Sequence, residues 1–509
     1  MCEKDRFKVI IVGGSVAGLT LAHCLQRAGI DHVVLEKNSD LSPQVGASIG
    51  IIPNGGRILD QLGLFNAVEK MTYPLSMATI TYPDGYSFRN NYPKTVDERF
   101  GYPIAFLDRQ KFLEILHTSY PDPSNIHTNC RVTHIRRHDS HMEVVTSSGQ
   151  EYTGDLVVGA DGVHSVIRSE MWKLADALEP GRVSKREKRS KPCAVCLDGM
   201  KVEYACVFGI SSPVPGLKVG DQVNAFHDGL TIITIHGKNG RVFWFVIKKL
   251  DDMYTYPDTV RFSSADAVRT CENIAHFPLV NGATFGHVWE NREVTSMTAL
   301  EENIFNIWYA DRIVCIGDSI HKVGLITLAT IGELALTLYQ MTPNIGQGAN
   351  TAIEDATVLT NLLYDRLSKN GHKKLARQEL LQLLREFQSQ RFSRVNKIYQ
   401  DSRFLVRLHA RDGIVKSFLA RYIVPYMTEL PADLASKSIA DSPTIGFLPL
   451  PSRSGPGWLQ WSRKQRRPAT PWILVLLVMV VSFSLHSPEL VIPTLWSNSL
   501  FSKRLSNAN

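Results

Sequence analysis

Glycines, carboxylates and one arginine recur in this chain at spacings that suit a bound dinucleotide. The stretch Gly13-Gly14-Ser15-Val16-Ala17-Gly18 follows an apolar run, Val9 to Val12, and precedes Leu19, Leu21, Ala22 and Leu25 at helical spacing. In such a strand-turn-helix, Gly13 permits the tight turn and Gly18 lets the helix lie close to the strand. The free amides at the helix start attract a pyrophosphate. Ser15 stands where the G-x-G-x-x-G pattern has its middle glycine, and a side chain this small still lets a phosphate approach. Glu36 ends the next apolar run, 18 residues past Gly18, where a carboxylate can accept hydrogen bonds from ribose hydroxyls. An ordinary tight turn would explain the glycines alone; strand, helix and acid together favour the dinucleotide.

Two later stretches repeat the pattern of apolar run, acid and glycine-rich helix start. One is Gly159-Ala-Asp161-Gly162 with Arg168 one turn into the following helix. The other is Gly317-Asp318-Ser-Ile-His321, then Pro343-Asn-Ile-Gly346-Gln-Gly348-Ala349-Asn350. Arg109 follows Asp108 at a helix cap, and a cation in the first turn opposes the helix dipole. That placement suggests a ligand for Arg109, with a surface salt bridge as the alternative. Between Gly46 and Gly50, apolar residues flanked by glycines suggest backbone lying flat against something, or a simple loop. In the middle of the chain Tyr204, His227 and Arg241 are able to donate protons or orient a substrate, but structural roles suit each better, and no catalytic side chain is assigned.

These residues need elements to hold them, and 509 residues are too many for one core. The texture predicts an α/β, doubly wound nucleotide-binding domain in two parts, 1–171 and 307–410. A mostly β substrate domain, 172–306, is inserted between them, and a tail follows over 411–509. Alternating segments such as Val202 to Phe208, Leu230 to His236 and Arg241 to Ile247 read as antiparallel strands. Net charge is +7, with basic clusters at Arg182 to Lys191 and at Arg463, Lys464, Arg466 and Arg467. Neither has interleaved aromatics, so no nucleic-acid partner is expected. Cys193 and Cys196 form a single C-x-x-C with no second pair, so no metal site is expected either. The chain opens with Met-Cys-Glu-Lys-Asp-Arg and runs straight into a strand, so no signal peptide is expected. From Ala469 to Leu485 run 17 uncharged residues behind the second basic cluster. This is the short edge of a membrane span, with the cations held on the cytosolic side, an interfacial or buried helix being the alternative. No cofactor motif lies beyond Asn350, so a chain ending near Ser452 is expected to keep its cofactor.

Together the three motifs resemble the group A FAD-dependent monooxygenases. A closer resemblance is to fungal epoxidases of meroterpenoid and indole-diterpene pathways. That likeness is carried by Val-Val-Leu-Glu36-Lys, Gly46-Ala-Ser-Ile-Gly50, Phe-Leu-Asp108-Arg109-Gln and Thr-Ala-Ile-Glu354-Asp355-Ala. The resemblance implies FAD held by Gly13, Gly14, Gly18, Glu36, Gly50, Arg109, Asp161, Asp318, Gly346, Gly348 and Ala349. It implies reduction by NADPH and transfer of one atom of molecular oxygen to an alkene of a small apolar prenylated substrate. It also implies a membrane-associated enzyme with its catalytic part in the cytosol, beside a membrane-bound terpene cyclase of the same pathway. Aromatic-ring hydroxylation on the same fold, or a prenyl reductase that binds FAD without oxygenating, are the alternatives.

One stretch departs from that family. Where the relatives place three residues between the histidine of Gly-Asp-x-x-His and the proline, Lys322 to Thr342 intervene here. Residues 323–340 are apolar, carry one charge, begin with valine and end with glutamine, as a retained intron with GT and AG edges would. A surface loop of this length and composition is uncommon. The segment is therefore suspected of being a retained-intron insert rather than part of the working enzyme, a genuine insertion being the alternative.

Overall fold

A computed structural model describes residues 6–461, apart from 45, 47, 184–200, 256–260, 301–302, 323–346, 427–428 and 454. The suspected insert, Gly346, the Cys193/Cys196 pair and the proposed anchor at 469–485 lie outside the described residues.

The apolar run Lys8–Val12 is the centre of a six-stranded sheet. In spatial order the strands are Tyr309–Ala310, Ile313–Cys315, Leu156–Gly159, Lys8–Val12, Asp31–Leu35 and Ile126–His127. All neighbours are parallel except the outermost Tyr309–Ala310 pairing. Buried on both faces, these strands need continuous apolar sequence, as Val9, Ile10 and Ile11 supply. The helix Val16–Ala28 packs on one face together with Gln347–Leu367, and Gly29 ends it in the left-handed conformation (φ 65°), as the Ala28-Gly29 signal predicts. The helical charge pattern from Lys373 onward becomes the long helix Arg377–His409.

The second sheet has seven strands in the order Arg292–Ala299, Lys201–Ser211, Val242–Thr255, Leu230–His236, Asp221–His227, Met77–Thr81 and Ser87–Asn90. The three segments read as antiparallel strands are paired as such. The boundary drawn at 172–306 differs from this architecture. Met77–Thr81 and Ser87–Asn90 come from the stretch assigned to the first part of the nucleotide domain, and Met77–Thr81 joins the sheet by a parallel pairing with Asp221–His227. Pairing across more than 140 residues leaves no local signal.

One face of this sheet packs Trp244, Val207 and Ile232 against the helices Ser264–Asn273 and Phe285–Glu290. The other turns toward the nucleotide domain.

Past the long helix the chain is fastened back onto the body. Gln61 bonds Ile445 N and the carbonyls of Ile445, Leu448 and Pro449, and Asn361 holds Thr444 and Gly446. Arg453 forms a two-pronged pair with Glu69, and Trp458 donates to Phe100 O while stacking under the buried Arg57 guanidinium at 4.1 Å. A chain ending near Ser452 would therefore be cut inside this clasp, so the expected truncation point moves to Trp461. Among the described residues no helix is long and apolar enough to cross a membrane.

Candidate active site

Gly13 has φ +111°, and a Cβ there would stand 2.3 Å from Ala160 O. Gly18 is tighter still: its Cβ would meet Gly13 O at 1.9 Å. The helix Val16–Ala28 has no side-chain cap and no acid in its first turn. Its leading amides and the positive end of its dipole are thus left for an anion. Glu36 ends its strand beside them, accepting from Gly14 N (2.7 Å) and Asn38 N (2.9 Å). Each carboxylate oxygen keeps a lone pair for a further donor. Arg109, at the first position of the helix Arg109–Thr118, donates to Ser15 Oγ at 2.8 Å. Burial lowers the pKa of its guanidinium, and the Asp318 carboxylate opposes that shift. The serine that replaces the middle glycine is thus bound to the arginine, and both border the helix start. Asp108 does not cap that helix with its side chain. It accepts Arg241 Nε (2.9 Å) and Nη2 (2.8 Å), joining the nucleotide domain to the substrate sheet.

Gly317 has φ +57° and lies where both helix starts converge: a Cβ there would be 3.2 Å from the Cβ atoms of Ala17 and Ala352. Asp318 next to it is exposed on the turn Gly317–Ser319. Gly348 and Ala349 form the first turn of Gln347–Leu367, and among the described residues a Cβ on Gly348 would meet nothing within 4 Å. Asp161 behaves differently from a ligand-facing acid. Its oxygens accept Ser165 Oγ (2.5 Å), Val166 N (2.7 Å), Ile167 N (3.1 Å) and Ser319 Oγ (3.2 Å). It caps the helix Val166–Leu178 and ties the second motif to the third. Arg168 assists, donating to Ser319 O and Val163 O. Gly50 sits in the strand Ser48–Ile51, and a Cβ there would be 2.8 Å from the Phe106 ring, so Phe106 is the flat surface against which that backbone lies. The Gly50 carbonyl accepts from Asn350.

Beneath this site lies a charge network that the motif reading did not interpret. Asp355 Oδ2 accepts from Gly317 N (2.9 Å) and contacts His321 Nε2 (2.6 Å), and Oδ1 accepts from Arg391 Nε (2.6 Å). Glu354 accepts from Asn54, Arg391 and Arg394. Burial would raise the pKa of both acids; Arg394 and Arg391 hold Glu354 at about 2, and His321 and Arg391 hold Asp355 at about 2. The usable signal was two adjacent acids in an apolar helix whose one basic residue is the distant Arg366.

The face of the second sheet that packs toward Phe106 forms a buried apolar wall. Across the strands run the rows Val294, Ile210, Phe243, Ile235 and Ser296, Phe208, Phe245, Ile233, with no ionisable side chain in either. Phe106, the ring under Gly50, packs into the same cluster. The three residues left unassigned have structural partners. Tyr204 reaches Asp412 at 3.4 Å, Arg241 holds Asp108 and Glu293, and His227 is stacked on Phe277 (4.1 Å) away from the wall. Burial lowers the His227 pKa to about 4. Among the described residues no group of three or more His, Cys, Asp or Glu could hold a metal ion.

The geometry is that of a dinucleotide site joined through Phe106, under Gly50, to the apolar cluster of the neighbouring sheet. A family model described as "FAD binding domain" matches residues 6–173. FAD-dependent monooxygenase atmM of Aspergillus flavus is 92% identical over 503 residues, 99% of each chain. FAD-dependent monooxygenase paxM of Penicillium paxilli is 51% identical over 483 residues, 95% of each. This chain belongs to the FAD-dependent monooxygenases. Among solved structures, Klebsiella pneumoniae HpxO complexed with FAD and uric acid superposes at TM-score 0.63 and 18% identity, over 86% of this chain and 97% of that one. CtdE in complex with FAD and a substrate gives 0.59 and 17%, over 85% and 99%. At those identities the likeness is one of fold. The residues present suit FAD: an uncapped helix start and half-buried Arg109 would take the pyrophosphate, Glu36 the ribose, and exposed Asp318 with the Gly348 turn the remainder.

Proposed function

We propose that this monooxygenase epoxidises an alkene of a prenylated meroterpenoid or diterpenoid, with NADPH as reductant. Bound FAD supplies the redox chemistry and the activation of oxygen. The balance is one alkene, O2, NADPH and one proton giving epoxide, NADP⁺ and water. The observation that carries this reading is the wall of Ile210, Phe243, Ile235, Phe208, Phe245 and Ile233. An isolated alkene needs no proton removed before it reacts, and the wall offers none of the bases that activating a phenol requires. Its role is to hold the alkene and exclude water. Phe106 packs with the wall and also lies under Gly50, so substrate and cofactor would share one support.

We further propose that residues 469–485 anchor the chain, with the basic cluster and the catalytic domain on the cytosolic side. Apolar product would then pass within the membrane to a terpene cyclase. Oxygen uptake with NADPH and a prenylated substrate, followed by mass analysis, tests the chemistry. A product one oxygen heavier that opens in acid to a diol supports epoxidation. Ring hydroxylation, or two added hydrogens without oxygen uptake, rejects it.

A further inference from the structure

The helical run after the long helix is apolar on both of its faces. Leu419, Ala420 and Val424 are buried against Ile80, Tyr82 and Phe226. On the other side Ile414, Phe418, Tyr422 and Tyr426 recur every fourth residue and are 75%, 39%, 54% and 80% exposed. The run is α-helical to Phe418, π-helical over Leu419–Ile423 and 3-10 over Val424–Tyr426, and within it Phe418 and Tyr422 touch at 5.2 Å between ring centroids, the centre of an exposed ridge. From Gly413 to Thr428 the chain holds Lys416 and Arg421 and no acid. Apolar anchors and two tyrosines with a polar tip form the composition of an interfacial segment; Arg421 is held by Asp84 at 2.6 Å, which leaves Lys416 and the basic cluster of the tail to meet anionic headgroups.

The position of the tail points to the occupant. Arg99 pairs with Glu429 (3.5 Å), three residues past Tyr426, and its guanidinium also lies over the Trp461 ring at 5.0 Å. The chain therefore leaves the described body at Trp461 beside the end of this ridge. Arg463, Lys464, Arg466, Arg467 and the uncharged run 469–485 follow.

We infer that the ridge Ile414, Phe418, Tyr422 and Tyr426 lies in the headgroup region of an anionic lipid surface and fixes how the enzyme sits on it. This rests on the reading of 469–485 as an anchor. A tail alone tethers the body without orienting it; a ridge beside the exit point supplies a second contact.

The test uses the full FAD-loaded chain and vesicles of phosphatidylcholine with phosphatidylserine. Amide hydrogen exchange across 414–426 is expected to slow at least about tenfold on adding vesicles. Phe418→Ser/Tyr422→Ser, both at exposed positions, is expected to lose that slowing while the chain still sediments with vesicles through its tail. Unchanged exchange in a chain that sediments overturns the ridge proposal and leaves the anchor standing. Slowing that survives in a Leu476→Lys/Val478→Lys chain whose sedimentation matches the parent's rejects the anchor and keeps the ridge. No sedimentation of the parent overturns both. Slowing present without vesicles and lost on dilution assigns the face to a second copy, and that too overturns the proposal.

Discussion

Replacing Arg391 by methionine should weaken both the fold and the flavin site from one buried position. Arg391 is 1% exposed and donates Nε to Asp355 (2.6 Å), Nη1 to Glu354 (2.7 Å) and Nη2 to Thr351 O (3.2 Å). Methionine keeps most of the volume, so the loss is electrostatic. Glu354 falls from 4.5 to about 2 and Asp355 from 3.8 to about 2 in the folded chain. At 1.36 kcal/mol per pKa unit these shifts correspond to roughly 3 and 2 kcal/mol. Because both values are depressed, this stability is present above the unfolded carboxylate range and is lost as pH falls toward 2. Arg394 and His321 remain, so the substitution removes part of the network and leaves two acids under-compensated. Breaking such a buried pair costs about 3–5 kcal/mol. For a folding unit of 150–250 residues that lowers Tm by roughly 6–20 °C. Flavin content should fall as well, because Asp355 holds Gly317 N and His321 beneath the turn that carries Asp318. Differential scanning fluorimetry at fixed scan rate and the flavin-to-protein absorbance ratio measure the two effects. Arg391→Lys should be intermediate, since one ammonium cannot serve both acids in the geometry of the fork. A methionine variant with the parent's Tm and flavin content would refute the reasoning.

Gly18→Ala should abolish flavin binding and destabilise the apoprotein, its Cβ colliding with Gly13 O at 1.9 Å. Gly348→Ala, with nothing among the described residues within 4 Å, should keep the apoprotein Tm and weaken FAD affinity alone. Asp318→Ala should bind FAD about tenfold to a hundredfold more weakly, the loss of a charged hydrogen bond of about 1.5–3 kcal/mol; fluorescence titration that finds parental affinity would remove Asp318 from the site. A chain ending at Trp461 should unfold at a higher temperature than one ending at Ser452, which lacks the Arg453–Glu69 pair and the Trp458 contacts. Sequencing of the mature transcript should show codons 323–340 absent; a messenger that encodes them, with a chain containing them that binds FAD normally, would retire the intron proposal.

The parts of the site that one stretch of sequence can encode were legible from sequence. Gly13, Gly18 and Glu36 act within a single strand-helix-strand unit, so their spacing carries their geometry, and the helix stop at Gly29 is equally local. The β texture from Val202 to Ile247 was readable for the same reason: alternation along a strand reports which face is buried. What sequence could not supply were the partners brought together from distant parts of the chain by tertiary folding. Asp108 reads as a helix cap until Arg241, 133 residues away, takes its carboxylate. Asp161 reads as facing a ligand until Ser319 and the amides of its own helix occupy it. Met77–Thr81 has no visible reason to leave the nucleotide domain until Asp221–His227 lies beside it. Glu354 and Asp355 sit in the quoted motif, yet their cations arrive on a different helix at Arg391 and Arg394. A buried carboxylate is stable only with its partner, and side-chain type alone does not say which distant cation the fold will deliver. Local backbone geometry is written in neighbouring residues, whereas charge compensation and sheet membership are set by which surfaces the completed core presses together.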